Sequence, residues 1–327
     1  MNILIEAQRT KLPQMRYGGM PRVVWSLARA LNSMGHNVSV LCAKGSFCPF
    51  AQIIERNPSV SIESQIPPQT DVVHFNTPVP DNFDHPYVET IHGNFNKTIS
   101  RNAIFLSKDH AMRFGSSVYV YNGLDWDDAE YSHPILTNER TAYHFLGKAA
   151  WKVKNVRGAI SVAKHLRGEK LNVLGGYRLN LHMGFRFTLS PKIRFFGMCK
   201  GDEKRSLLSA SKGLIFPVVW HEPFGLAVIE SLYFGAPVFA TPYGALPEIV
   251  TPNVGALTNS ESLMIELINN AHFSPQICHE YARDTFNAMR MAQGYLKKYE
   301  EVANGNFLHA SSPIKISPEE PTPWIEM

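Results

Sequence analysis

The chain has 327 residues, 44% of them hydrophobic and 18% charged, which is enough apolar material for two α/β domains and too much for a disordered chain. Its net charge of +4 is too small a surplus to argue for nucleic acid; it suits phosphate ligands or an anionic membrane surface. Cys42, Cys48, Cys199 and Cys278 have neither metal-ligand nor disulfide spacing, no apolar run approaches a bilayer span, and the chain opens on a strand without a basic leader, so the cytoplasm is the expected location.

Short apolar runs rich in β-branched residues, Ile3–Ile5, Val38–Leu41, Val72–Phe75, Tyr87–Ile91, Ala103–Leu106 and Val118–Tyr121, predict strands separated by helical patterns. That alternation reads as a parallel sheet with crossover helices. The first helix is expected from Pro21 to about Met34, with Val24, Leu27, Leu31 and Met34 on one face and Gly35 as its stop. The polar stretch from Asn122 to Glu139 reads as a linker. The alternation then restarts with strands at Tyr143–Leu146, Leu171–Leu174, Ile193–Phe196, Leu214–Phe216 and Val238–Ala240. Helices are expected near Asn155–Leu166, Asp202–Ala210 and Leu226–Phe234, with further helices to about Tyr299. Residues 304–327, rich in proline, serine and charge, are expected to be a mobile tail.

The segment His221-Glu222-Pro223-Phe224-Gly225-Leu226-Ala227-Val228-Ile229-Glu230 follows a strand and opens a helix. Such junctions lie at the carboxyl edge of a parallel sheet, where open α/β domains bind ligands. Free N–H groups around Phe224, Gly225 and Leu226 would accept a phosphate, and Gly225 has no side chain to hold it off. Glu230 shares a helix face with Leu226 and Tyr233, so its carboxylate needs strong partners. A ribose diol would serve, and so would a nearby Arg or Lys at the rim of the core.

The whole stretch to Val250, with Glu222 and Glu230 enclosing seven residues and continuing through Ser231, Gly235-Ala236-Pro237-Val238, Gly244 and Glu248-Ile249-Val250, resembles the signature of retaining glycosyltransferases of family 4. The resemblance implies that Glu222 touches donor-sugar hydroxyls and that Glu230 holds the ribose. Tyr17-Gly18-Gly19-Met20, between the first strand and helix, is similar to the family's glycine loop near the donor diphosphate and the acceptor. Ile91-His92-Gly93 falls where the family carries a histidine beside the reacting anomeric centre. Lys148, in Gly147-Lys148, stands where the family shows arginine. A second cation comes from Lys152 or Lys154, with Lys154 preferred; two cations opposite a helix N-terminus would neutralise a leaving diphosphate. The loop at Gly197-Met198-Cys199 is expected to lie against the base, with Met198 and Cys199 as its contacts.

Asp125-Trp126-Asp127 spells the metal-binding DxD of a different glycosyltransferase fold, but it falls in the polar linker and reads as solvated loop. The resemblance therefore implies a GT-B fold of two Rossmann-like domains facing across a cleft, an acceptor-side domain at 1–138 and a nucleotide-sugar domain at 139–303 whose final helix can pack back on the first. It further implies transfer of a sugar, most readily from a UDP-sugar, to a hydroxyl acceptor with retention and with no metal or other cofactor. The competing readings are a non-catalytic nucleotide-sugar-binding scaffold and a sugar-nucleotide epimerase.

Overall fold

A computed structural model describes the chain except for residues 8–9, 14–17, 95–97, 133, 138, 182 and 317–321; Tyr17 of the glycine loop thus lies outside the described residues. Contacts divide the chain into two units, Met1–Trp126 with Phe286–Glu319, and Asp127–Thr285 with Glu320–Met327.

The first unit runs β1 (Asn2–Ala7), α1 (Gly19–Ser33), β2 (Asn37–Cys42), β3 (Gln52–Glu55), β4 (Val72–Phe75), β5 (Tyr87–Thr90), β6 (Ala103–Ile104) and α2 (Lys108–Met112). Its six strands form one sheet in the order β3-β2-β1-β4-β5-β6, every pairing parallel. Leu4, Ile5, Val40, Val73 and Phe75 are fully buried, as expected where helices cover both faces of a parallel sheet. Helix α1 starts two residues before the expected proline, at Gly19, and buries Val24, Leu27 and Leu31. Strand β3 has only two apolar residues between Gln52 and Glu55, too few to signal a strand in the sequence. Val118–Tyr121 makes one bridge, Phe105 to Tyr119, rather than a strand, because only Phe105 extends far enough to pair with it.

The second unit repeats the plan: β7 (Ala142–Leu146), α3 (Val156–His165), β8 (Leu171–Leu174), the hairpin β9 (Leu179–Asn180) and β10 (Arg186–Phe187), β11 (Ile193–Phe195), α4 (Gly201–Ser209), β12 (Ser211–Phe216), α5 (Leu226–Tyr233), β13 (Val238–Ala240), α6 (Leu246–Ile249), β14 (Gly255–Leu257), α7 (Glu261–Asn269) and α8 (Pro275–Thr285). Its parallel sheet has the order β11-β8-β7-β12-β13-β14. Helix α5 buries every residue but Leu226. Both sheets thus follow the doubly wound order in which the chain starts at the centre and works outward to each edge in turn.

The last helix, α9 (Ala288–Ala303), belongs to the first unit, packing on α1, β4 and β5. There it closes a buried polar chain: the His74 ring bonds the Tyr299 hydroxyl at 2.6 Å and the Thr90 hydroxyl at 2.7 Å, and Thr90 meets the Tyr295 hydroxyl at 3.0 Å. Burial pushes His74 down to about 3, so the ring stays neutral at ordinary pH.

Two expectations are corrected. Residues 122–126 are not a solvated linker: Leu124 and Trp126 are buried, and Leu124 pairs with Asn287. The boundary accordingly falls after Trp126 and not at 138. The described parts of the expected tail are also fixed. Leu308 and His309 N–H groups bond Asn102 and Arg101, Ile316 N–H bonds the Arg113 carbonyl, and Ile325 pairs with Ser260. A proline-rich segment disfavours a helix, but its extended backbone can still be satisfied by acceptors of neighbouring segments.

Candidate active site

In the second unit the residues of interest gather where parallel strands end. Lys148 follows β7, Met198 and Cys199 follow β11, and Glu222 to Gly225 lie between β12 and α5, which Leu226 opens. Backbone bonds set their mutual placement. The Val219 N–H donates to the Val153 carbonyl at 2.8 Å, which ties the 3-10 turn Lys152–Lys154 to the loop after β12. Asn155, in the left-handed conformation, caps α3 through the Gly158 N–H and donates its amide to the Pro217 carbonyl at 2.9 Å.

That bracing turns Lys154 toward Glu222: Lys154 Nζ lies 2.5 Å from Glu222 Oε2, which also accepts from the Trp220 indole at 2.8 Å. The same ammonium sits 4.7 Å from the Trp220 ring centroid and 5.3 Å from that of Phe216. Lys152 is exposed and reaches instead toward Gly184. Lys148 is exposed as well, 5.2 Å from the Trp151 ring centroid.

Two glycines make the approach possible. Gly225, at φ +103°, precedes α5, whose start has no side-chain cap. Gly244, at φ +64°, lies so close to Glu222 that a Cβ there would sit 2.4 Å from both the backbone nitrogen and the carbonyl oxygen of Glu222. The neighbouring Ala245 N–H donates to that carbonyl at 2.9 Å. The backbone of Glu222 is therefore clamped by the loop after β13. This accounts for a glycine at 244, where φ is unfavourable for other residues and there is no room for a side chain.

Glu230 lies 0% exposed on α5 and forms an ion pair with Lys204 of α4, itself 2% exposed; Lys204 also meets Glu130 at 2.8 Å. Tyr131 donates its hydroxyl to Glu230 at 3.4 Å. The partner that an apolar helix face requires is thus a lysine, one of the alternatives open in the sequence. One turn-face away on α5, Ser231 bonds the buried His144 ring at 2.8 Å, and Ser211 bonds its other nitrogen at 2.5 Å. Met198 is 41% exposed, whereas Cys199 is buried, which pushes its thiol up to about 11. Met198 is the residue this loop presents to solvent.

In the first unit Gly18 precedes α1 and Gly19 opens it, with the Gly18 carbonyl accepting from Arg22 at 3.1 Å. His92 follows β5, and its Nε2 lies 2.7 Å from Asn76 Oδ1. The Asn76 amide donates to the Glu6 carbonyl at 2.9 Å, so Oδ1 is the acceptor and His92 Nε2 carries a proton. In the neutral ring Nδ1 is then the acceptor. The Glu6 carboxylate, fully buried at the end of β1, accepts the Asn76 and Thr77 N–H groups at 3.1 Å each and the Thr77 hydroxyl at 3.0 Å. Glu6 was not singled out in the sequence; its signal is an acidic residue inside the apolar run Ile3 to Ala7.

Of the DxD, Asp125 bonds Arg29 at 2.6 Å with its side chain 13% exposed, and Asp127 is exposed. The solvated-loop expectation is therefore corrected for Asp125, which is held in a partly buried ion pair. Among the described residues no group of three or more His, Cys, Asp or Glu is placed to hold a metal ion.

Residues 133–271 match the family model described as glycosyl transferases group 1. Among curated relatives, an uncharacterized 41.2 kDa protein in the cps region of Klebsiella pneumoniae is 26% identical over 137 residues, 39% of this chain and 37% of the relative. A second protein of that Klebsiella region is 23% identical over 158 residues, 48% of this chain and 40% of the relative. The chain thus spans well under half the length of the curated relatives it matches. Among solved structures, AviGT4, a glycosyltransferase involved in avilamycin A biosynthesis, superposes with a TM-score of 0.74 at 18% identity, over 93% of this chain and 98% of that one. Anabaena HepE in complex with UDP-glucose does so with a TM-score of 0.62 at 15% identity, over 92% and 99%. Two parallel doubly wound sheets and these superpositions agree: the chain has the GT-B fold of two Rossmann-like domains, and its residues 133–271 match the model of glycosyl transferases group 1.

Proposed function

We propose that the protein transfers a glycosyl group from a nucleoside-diphosphate sugar to a hydroxyl acceptor, with retention at the anomeric carbon and without a metal. The observation that carries this reading is the Lys154–Glu222 pair beside the uncapped start of α5. An activated sugar presents two unlike halves, a polyanion and a polyol. A helix N-terminus with an adjacent ammonium suits the first, and a carboxylate suits the second.

In this reading the diphosphate takes the N–H groups at Phe224, Gly225 and Leu226, with Lys154 and Lys148 neutralising charge as the leaving group departs. Glu222 accepts donor-sugar hydroxyls, released from Lys154 as the ammonium turns to phosphate. Glu230, oriented by Lys204, takes the ribose hydroxyls, and the loop bearing Met198 and Cys199 lies against the base. In the first unit Gly18 and Gly19 receive the diphosphate, and His92, positioned by Asn76, bonds a donor-sugar or acceptor hydroxyl. UDP is the favoured nucleotide, supported by the UDP-glucose complex of HepE, which shares the fold.

Incubation with UDP-, GDP- and ADP-sugars, with detection of free nucleoside diphosphate, tests the reading. Release from a UDP-sugar by the wild type, lost in Glu222→Gln, is the expected result. Tight UDP binding with no release across a panel of hydroxyl acceptors would instead assign a non-catalytic nucleotide-sugar-binding role.

A further inference from the structure

The hairpin between β8 and β11 is built inside out. Phe187 pairs with Leu179 and Arg186 with Asn180, so Leu179 and Phe187 share one face, and Tyr177, Leu181, Met183, Phe185 and Leu189 extend the odd-numbered series on either side of them. All of them are large and apolar, and all are solvent-exposed, from 50% for Leu179 to 76% for Leu189. Arg186 and Thr188 supply the packed side: both are buried, and Arg186 lies 5.0 Å from the Phe195 ring centroid. Arg178 donates to the carbonyls of Thr188 and Ile193 at 2.7 and 2.9 Å. The polar residues therefore anchor the hairpin to its domain while the apolar ones point to solvent. A contiguous exposed apolar patch of this kind marks an interaction surface.

The charge around it identifies the partner. No aspartate or glutamate occurs from Lys170 to Gly201, a stretch that holds Lys170, Arg178, Arg186, Lys192, Arg194 and Lys200. At the tip, exposed Arg157 donates to the Phe185 carbonyl at 2.6 Å, and exposed Lys152 reaches Gly184. An apolar face with cations at its tip, in a stretch of chain that carries no acid, matches an anionic lipid surface, with side chains entering the acyl boundary and ammonium and guanidinium groups at the headgroups. A second copy docked on the same face would set two cationic rims against each other, which opposes self-association.

We infer that the hairpin from Tyr177 to Leu189 is an interfacial anchor that docks the second domain on an anionic bilayer. It holds independently of the glycosyl-transfer reading, since it uses no residue assigned there. Insertion of the apolar face supplies most of the affinity, and the cations supply the lipid selectivity.

Flotation of the full chain with extruded vesicles tests it, using pure phosphatidylcholine against phosphatidylcholine with about 30% phosphatidylglycerol. The wild type should float with the anionic vesicles and much less with the neutral ones. Leu181→Ser with Phe185→Ser should weaken partitioning at least about tenfold, since each removes a large apolar group from the inserted face. Circular dichroism and the melting temperature of that double variant should match the wild type, because both side chains face solvent. Arg157→Gln with Lys152→Gln should reduce binding to anionic vesicles while leaving the weak neutral binding unchanged. Failure of the wild type to float with anionic vesicles would overturn the inference, as would equal flotation of the serine variant. A wild-type dimer in sedimentation equilibrium that the serine variant converts to monomer, without vesicle binding, would assign the face to a second copy and likewise overturn it.

Discussion

Lys154 and Glu222 lie 68 positions apart in the chain and meet at 2.5 Å, each partly shielded from water, with Trp220 bonded to the same carboxylate oxygen. The pair joins a cation suited to a diphosphate to a carboxylate suited to a sugar, so changing either end should produce a different kinetic signature. Lys154→Met should weaken binding of a nucleoside diphosphate by about tenfold or more, the scale of one charge-assisted hydrogen bond. Glu222→Gln should lower kcat while leaving affinity for the bare nucleoside diphosphate nearly intact. Lys152→Met serves as the control and should change neither. Calorimetric titration with UDP, beside steady-state rates, separates the three variants.

Glu230 and Lys204 form the most deeply buried ion pair described. Glu230→Ala should lower stability by about 3–5 kcal/mol, because it leaves Lys204 buried with only part of its former partner set. Combining Glu230→Leu with Lys204→Met should recover most of that loss. Ribose contact is tested separately, by comparing UDP with 2′-deoxy-UDP. The missing hydroxyl should cost the wild type affinity and cost Glu230→Ala much less. Equal penalties in both proteins would confine Glu230 to its structural pairing with Lys204.

Gly244 allows no side chain beside Glu222, because the obstruction is backbone on both sides. Gly244→Ala combines positive-φ strain with displacement of the clamped segment, so it should cost about 2 kcal/mol or more in stability. It should also reduce turnover, since it moves the carboxylate without changing it. Urea unfolding and initial rates on the same preparation check both effects. Wild-type turnover in a destabilised Gly244→Ala would show that the position of Glu222 does not govern the rate.

Burial, with Arg140 adding to it, pushes His144 down to about 3 from 6.5 in the unfolded chain. The folded state therefore disfavours the protonated ring. Its contribution is fully present above pH 6.5 and is lost as pH falls from 6.5 toward about 3. His74, with the same depression, acts in the same direction in the first unit. Across that window each ring should subtract about 1.4 kcal/mol per pH unit. His144→Gln should be less stable at neutral pH but should flatten the acid limb by one ring's share. An unchanged slope in urea midpoints from pH 7 to about 4.5 would show that His144 does not govern the acid limb.

Asp125 pairs with Arg29 at 2.6 Å, and the proposed function uses no metal. Transfer activity should survive EDTA, and Asp125→Asn should act on the stability of the first unit rather than on a metal requirement. Loss of activity in EDTA with rescue by manganese would restore Asp125 and Asp127 as ligand candidates.

The sequence by itself determined what is local. Apolar runs such as Val72–Phe75 and Leu171–Leu174 specified parallel strands because both faces of such strands are buried, and the segment from Glu222 to Val250 carried the strand-to-helix junction whole. It could not show what lies across the sheet edge. Whether Lys152 or Lys154 meets Glu222, and whether Glu230 is balanced by Lys204, depends on loops brought together by backbone bonds such as that from Val219 to Val153. The boundary after Trp126 and the assignment of α9 to the first unit depend in the same way on the pairing of Leu124 with Asn287. The hairpin from Tyr177 to Leu189 marks the limit most sharply. Its period of two is plain in the sequence, yet alternation alone does not say which face is buried, and here the domain takes the arginine side and leaves the apolar side outward.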